Sequence, residues 1–338
     1  MQRVRVVIPC RNEVDYIGAC LDSIVNASKD GLLLSVYVVD GMSDDGTRDA
    51  IDSYTKNHSF ISLHDNVRKT TPFALNIGIQ SMDFDIAIIL GAHAVIDSRF
   101  IEQNVSVLRE RPEVGCSGGI IRNVHENEWS EIISAAMSST FGVGNAHFRT
   151  GGKSGYVDTV AFGAYRREVF ERVGFFDEEL ARNQDDEFNF RVIRGGYKIY
   201  LDNTIASDYY VRASLSKLYR QYNQYGYWKV LVNRKHRAVT SIRQLAPPLW
   251  VVFVLSGWIF FFMHLYLGLF YLTIILTYII IAIYTAAKMR MGGWIRTMKL
   301  IQTFQALHFS YGLGYLKGML HFYILNKRPA ASSLNITR

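Results

Sequence analysis

From residue 209 onward the chain has no acid. Asp208 is the last of its 30 Asp and Glu residues, so residues 209–338 carry 16 Lys or Arg and no counter-charge, a net of +16. Residues 1–208 hold all 30 acids against 21 Lys or Arg, a net of −9. Such a division between halves points to a tail that meets a polyanion. Cysteine is almost as scarce. The three present, Cys10, Cys20 and Cys116, have no metal-type spacing, and their odd number excludes a closed disulfide framework and fits a reducing compartment. The first residues run directly into a strand pattern, so no signal peptide is expected.

Charge of either sign is missing from residues 244–287. One bilayer crossing needs roughly 20 apolar residues, so the stretch suits two spans, placed at 248–267 and 269–287, with His264 and Gly268 near the turn. The alternative, a buried helical hairpin of a soluble protein, rarely runs so long without a charge. Arg234, Lys235, Arg237 and Arg243 precede the pair, and Lys288, Arg290, Arg296 and Lys299 follow it. Positive flanks on both sides place the N-terminal part in the cytoplasm, at the inner membrane. A third apolar segment, 302–325, carries His308, Lys317 and His321, and Gly312, Gly314 and Gly318 could form a packing face. It reads as interfacial or re-entrant rather than spanning. Residues 209–245 interleave Tyr209, Tyr210, Tyr219, Tyr222, Tyr225, Tyr227 and Trp228 with Lys and Arg. An RNA surface could have this composition. Beside the apolar hairpin it favours anionic lipid headgroups, and no nucleic-acid partner is expected.

The first hundred residues alternate strand and helix patterns. Strands at 4–9, 34–39, 60–64 and 85–90 alternate with helices at 14–27, 46–56 and 72–81, which implies a doubly wound, mostly parallel sheet. Two apolar runs end abruptly in polar loops: Val6-Val7-Ile8-Pro9-Cys10-Arg11-Asn12-Glu13, and Val38-Val39-Asp40 followed by Gly41 to Thr47. Ligands of open α/β sheets bind outside the carboxyl ends of the strands. The loops bring Glu13, Asp40, Asp44 and Asp45 there, a set suited to a hydroxyl-rich ligand. Asp40 could accept hydrogen bonds from a ribose or a nucleobase edge, or could simply cap a loop. Residues 140–160, rich in Gly, Ser, Thr and Asn, predict a long surface loop.

The cluster Asn183-Gln184-Asp185-Asp186-Glu187 places Asn183 as an N-cap and three acids in a first helical turn. Helix-start chemistry alone would explain them. A catalytic reading gives one the task of general base. Neighbouring positions on a helix point about 100° apart, so one acid aims at the reacting atom. Asp186 suits a capping interaction with Asn183, which leaves Asp185 as the base.

Ile8-Pro9-x-x-Asn12-Glu13, Val39-Asp40-x-x-Ser43-x-Asp45-Gly46-Thr47, Asn76-x-Gly78 and Gln184-Asp185-x-Glu187 together resemble family 2 glycosyltransferases of the GT-A fold. Gly91-Ala92-His93, Phe141 to Asn145, Phe162 to Arg167, Asn183 to Phe188 and Tyr225 to Trp228 resemble the membrane-associated succinoglycan-biosynthesis subgroup. The resemblance covers residues 1 to about 230, and the tail in character. It implies a GT-A domain over 1–208, basic and aromatic interfacial helices over 209–245, and a membrane region over 246–338. It further implies inverting transfer of a hexosyl group from a nucleoside diphosphate sugar, a UDP-sugar being favoured, to a hydroxyl of a polyprenyl-linked glycan in exopolysaccharide or cell-surface glycan synthesis. Pro9, Glu13, Asp40, Lys69 and Ala92 would then line the nucleotide pocket. Asp185 would be the base, and Gln184, Asp186, Glu187, Arg191 and Trp228 would support the acceptor or the site.

The resembled family usually has an acid where this chain has Gly91, and that acid holds Mn²⁺ or Mg²⁺ against the departing diphosphate. Glycine cannot ligate through a side chain, and His93 remains as a poor lone ligand for Mg²⁺. Three outcomes stay open. The diphosphate, His93 and water could hold a metal; Arg68, Lys69, Arg149 or Lys153 could replace it; or the chain could bind nucleotide sugar without turnover, as a scaffold. A polyprenyl-phosphate sugar synthase is the rival enzyme.

Overall fold

The computed structural model describes residues 1–211, 214–240 and 242–329. Positions 212, 213 and 241 of the expected 209–245 segment, and 330–338 of the 246–338 region, lie outside the described residues. The first part of the chain gives β1 (Gln2–Cys10), α1 (Val14–Val25), β2 (Leu32–Asp40), α2 (Thr47–Asn57), β3 (Ile61–Asp65), α3 (Thr71–Ile79), β4 (Ile86–Ile89), β5 (Ala94–Ile96), α4 (Phe100–Glu110) and β6 (Val114–Val124). After it come α5 (Glu128–Met137), α6 (Thr140–Val143), α7 (His147–Thr150), β7 (Gly155–Val157), β8 (Ala161–Arg166), α8 (Arg167–Val173), α9 (Gln184–Arg194) and β9 (Lys198–Tyr210). The remainder is helical: α10 (Leu215–His236), α11 (Ala246–Ser256), α12 (Phe260–Met263), α13 (Leu265–Lys288) and α14 (Trp294–Met319).

Two compact units result, one of residues 1–123 and 147–210, the other of 124–146 and 211–338. In the first, the sheet runs β3-β2-β1-β4-β8-β6-β9-β5. Its β3, β2, β1 and β4 are mutually parallel, and β8 pairs antiparallel with both β4 and β6. Strand β1 is covered on both faces, which is why its sequence is nearly continuous Val and Ile. Val4, Val6, Ile8 and Cys10 pack with Ile17, Leu21 and Ile24 of α1, and Val7 packs with Leu75 and Ile79 of α3. The three cysteines are buried free thiols, and burial pushes Cys20 up to about 12.

Residues 140–160 depart from the expected loop. They form α6, α7 and β7, and β7 pairs with β9. Ser139 starts α6 by accepting a bond from the Gly142 amide at 3.0 Å. The stretch 124–146, which composition places in the 1–208 domain, packs instead with the C-terminal helices. Glu128 and Glu131 of α5 pair with Lys299 and Arg296 of α14, the Glu128–Lys299 contact at 2.6 Å. These acids lie more than 150 residues from their partners, so composition could not reveal the pairing.

Helices α10 and α14 meet through glycines. A Cβ on Gly226 would lie 2.8 Å from the Tyr315 amide nitrogen, and one on Gly318 2.8 Å from the Tyr227 carbonyl oxygen. One on Gly314 would collide with the Asn223 carbonyl, and Gly312 fits equally closely over Pro247 of α11. The glycine face expected at 312, 314 and 318 is therefore present, within a helix that starts at Trp294. Gly314→Leu is expected to destabilise the helical unit by about 1–3 kcal/mol, since overpacking against a backbone carbonyl cannot relax by rotation. A thermal melt of the detergent-solubilised chain would check this, and an unchanged midpoint would contradict the close approach.

Two helical runs are long and apolar enough to cross a membrane, Ile242–Met263 and Leu265–Lys288. The turn falls at His264, whose Nδ1 accepts the Tyr266 amide at 3.3 Å. Gly268 is not part of that turn. It lies inside α13, where a Cβ would clash with the Phe261 ring. The first run bends at Gly257, which leaves room for Tyr271. The carbonyls near this bend are satisfied by side chains: Tyr271 Oη donates to Val254 O at 3.1 Å, and Trp258 Nε1 to Leu255 O at 2.9 Å.

Candidate active site

The loops after β1 and β2 are laced together. The Asn12 amide donates to Ser43 Oγ and the Glu13 amide to Thr47 Oγ1, each at 2.8 Å, and the Asn12 side chain exchanges bonds with Asp44. Asn12 and Met42 take left-handed backbone angles in these turns. Asp45 caps two helices at once, accepting the Thr47 amide at 3.0 Å and the Val14 amide at 3.3 Å. Burial pushes its carboxyl up, but the bonds from Thr47 and Val14 outweigh that and hold it below the usual carboxylate range. A depressed carboxyl stabilises the fold above its unfolded pKa, about 3.9, and loses that contribution as pH falls through the folded value. The melting-temperature gap between wild type and Asp45→Ala is therefore expected to be largest near neutral pH and to close below about pH 4. A gap that stays constant with pH would argue against the capping role.

Asp40 and Asp65 are register partners at the ends of β2 and β3. The Asp40 side chain is fully buried. Its Oδ2 accepts the Ser43 amide at 2.9 Å and Arg48 Nη1 at 2.8 Å, and its Oδ1 accepts the Ser43 hydroxyl. The other arm of Arg48 donates to Asp65 Oδ1 at 2.8 Å. A buried carboxylate needs such a partner. Arg48 therefore belongs to the floor of this crevice, and sequence reasoning missed it. The available signal was its place in the first turn of α2, directly after the Asp45-Gly46-Thr47 loop. Lys69, exposed at the end of β3, adopts a left-handed conformation and closes a turn onto the Asn66 carbonyl. Pro9 is half-buried at the end of β1, and Ala92 is buried beyond β4.

At the end of β4, a Cβ on Gly91 would lie 3.1 Å from the Phe162 ring. His93 Nδ1 is 3.6 Å from Glu13 Oε1. The His93 imidazole meets the Tyr209 ring edgewise, at 5.2 Å between centroids, and the Tyr16 ring at 6.4 Å. Arg149 of α7 sits 5.7 Å from the Tyr209 ring. Tyr16 and Tyr209 are further residues that sequence reasoning missed; Tyr209 reaches His93 because β5 pairs with β9, with Ala94 opposite Tyr209. Glu13 and His93 supply two donors, and among the described residues no cluster of three metal-ligating side chains forms. A divalent ion needs about six ligands, so these two side chains would hold one only together with ligand oxygens and water.

A further acidic cluster opens α9. Asn183 occupies the N-cap position in a left-handed conformation, with no side-chain cap bond. The expected Asn183 side-chain cap is not formed. The three acids separate by exposure: Asp185 is exposed, Asp186 half-buried and Glu187 buried, with Gln184 half-buried before them. The Asp186 amide donates to Asp185 Oδ1 at 2.9 Å. Near Asp185, the Tyr165 hydroxyl donates to Asn189 Oδ1 at 2.8 Å, and Asn189 Nδ2 to Thr159 Oγ1 at 2.9 Å. Burial, with the neighbouring Cys116 and the Asp185 charge adding to it, holds the Tyr165 phenol far above its usual range. Glu187 turns inward to a bidentate pair with Arg191, at 2.7 and 2.9 Å. Arg191 also donates to the carbonyls of Val173 and Phe175. These two brace the start of α9. Trp228, expected as site support, is fully buried in the helical unit, where its ring meets Tyr227 edgewise at 5.8 Å.

A mixed sheet whose β3, β2, β1 and β4 run parallel, with acidic loops at the ends of β1 and β2 and an acid-rich start to α9, has the architecture of a GT-A glycosyltransferase. Residues 5–174 match the family described as glycosyl transferase family 2, and the chain belongs to it. It is 32% identical over 243 residues, 70% of this chain and 75% of the relative, to the dolichyl N-acetyl-alpha-D-glucosaminyl phosphate 3-beta-D-2,3-diacetamido-2,3-dideoxy-beta-D-glucuronosyltransferase of Methanococcus voltae. It is 27% identical over 246 residues, 72% of this chain and 73% of the relative, to succinoglycan biosynthesis protein ExoA of Rhizobium meliloti. The mannosyltransferase PcManGT of Pyrobaculum calidifontis, solved with GDP-Man and Mn²⁺, shares the fold at a TM-score of 0.60 and 18% identity, over 94% of this chain and 87% of that one.

Proposed function

We propose that this glycosyltransferase moves a sugar, with inversion, from a nucleoside diphosphate sugar to a hydroxyl of a polyprenyl-linked glycan at the cytoplasmic face of the inner membrane. Pro9, Glu13, Asp40, Lys69 and Ala92, at the ends of four parallel strands, would line the nucleotide pocket. Asp185 would take the proton of the attacking hydroxyl. Gln184 and Asp186 would border it, and Glu187 with Arg191 would position it. Asp185 carries the reading: it is the exposed member of three consecutive acids, on the first turn of α9, where the helix dipole favours the ionised form.

The relatives support a lipid-linked acceptor. One is named for action on a dolichyl-linked sugar phosphate and the other for succinoglycan biosynthesis. The two apolar helical runs support membrane association. The positive residues around them, Arg243 before and Lys288 and Arg290 after, support a cytoplasmic catalytic unit and contact with anionic lipid. Asp185→Asn, assayed in membranes with lipid-linked glycan and with bare polyprenyl phosphate as alternative acceptors, tests this reading.

A further inference from the structure

We propose that Arg149 supplies the positive charge that receives the departing diphosphate, the task for which Gly91 leaves no metal ligand. This rests on the reading of the donor as a nucleoside diphosphate sugar.

Three observations converge on Arg149. The end of β4 offers no side-chain ligand at Gly91, where a Cβ would lie 3.1 Å from the Phe162 ring. Glu13 and His93 are two donors, too few to hold an ion by themselves. Beside them, the Tyr209 ring lies 5.2 Å from the His93 ring and 5.7 Å from the Arg149 guanidinium.

The Arg149 guanidinium stacks over Phe148 at 5.2 Å, and its Nη1 is buried without a hydrogen-bond partner. Among the described residues it forms no ion pair or hydrogen bond. A guanidinium carries five N–H donors, and a buried charged donor left unpaired is costly. An incoming anion removes that cost, and diphosphate oxygens match the planar fork bidentately. The other basic residues considered in its place lack this geometry. Arg68 is exposed and packs over Phe73, and Lys69 and Lys153 are exposed.

In the transfer, the acceptor oxygen bonds to the anomeric carbon while the bond from that carbon to the diphosphate oxygen breaks. The bonding pair leaves on the diphosphate, and the hydroxyl proton passes to Asp185. The diphosphate gains one negative charge in the transition state, and a fixed guanidinium stabilises that charge as it develops.

Calorimetric titration of the full chain in detergent, with UDP against UMP and GDP against GMP, each in EDTA and in Mn²⁺, tests the assignment. For the nucleotide that binds, wild type in EDTA is expected to favour diphosphate over monophosphate by about tenfold or more. Arg149→Gln is expected to bring that ratio towards one with monophosphate affinity unchanged, which also reports a folded pocket. Arg149→Lys should restore part of the ratio. A wild-type preference that appears only with Mn²⁺, or a ratio that survives Arg149→Gln, overturns the role of Arg149 and leaves the donor reading standing. Binding of no nucleotide to wild type overturns the donor reading and this inference with it.

Discussion

Asp185→Asn is expected to lower sugar transfer by about 10²–10⁴-fold, the range that a positioned general base contributes. Asparagine keeps the size of the side chain and its ability to accept the Asp186 amide, so helix α9 should start where it does now. It cannot take a proton. Nucleotide affinity, set at the strand ends, should be unchanged, and the loss should fall on kcat rather than on the donor KM. Steady-state transfer in membranes, with nucleotide titration alongside, separates the two parameters. Transfer at the wild-type rate would remove Asp185 from the chemistry. Efficient transfer to bare polyprenyl phosphate that is indifferent to Asp185→Asn would instead favour a polyprenyl-phosphate sugar synthase, because an ionised phosphate needs no base.

Arg191→Met is expected to cost about 3–5 kcal/mol of stability, as breaking a buried ion pair does when one charge is left behind. The Glu187 side chain is 3% exposed, so it would stay in the interior after losing its bidentate bond to Arg191. The carbonyls of Val173 and Phe175 would also lose their donor. Denaturant unfolding of the purified chain measures the effect. The double variant Glu187→Met with Arg191→Met should be less destabilised than Arg191→Met alone, because replacing both charges by apolar groups removes the buried carboxylate that the single variant deprives of its bidentate bond. If the double variant is worse, the pair stabilises by more than mutual neutralisation. Turnover of the single variant should fall as well, since Arg191 holds the segment that leads into Asp185.

Much of the fold is legible in one dimension. The runs ending at Cys10 and Asp40 are strands buried on two faces, and continuous β-branched sequence carries that information by itself. The apolar stretch without charge between Arg243 and Lys288 likewise appears as two long helical runs, with the turn at His264. The segment 140–160 was misread because small and polar residues signal a loop locally, while their pairing with β9 is a property of distant sequence. Asn183 was misread as a side-chain cap because residue type suits that role, whereas the backbone enters α9 in a left-handed conformation.

Periodicity, composition and the spacing of loop acids are properties of neighbours along the chain. By themselves they determined the α/β class, the division of charge and the apolar hairpin. Tertiary structure alone decided which of three consecutive acids meets solvent. It also decided that Asp40 is gripped by Arg48, that His93 stands between Glu13 and Tyr209, and that residues 124–146 join the helical unit. Each of these outcomes depends on groups brought together through space from separate elements, and their free energy comes from burial and pairing that no local pattern records.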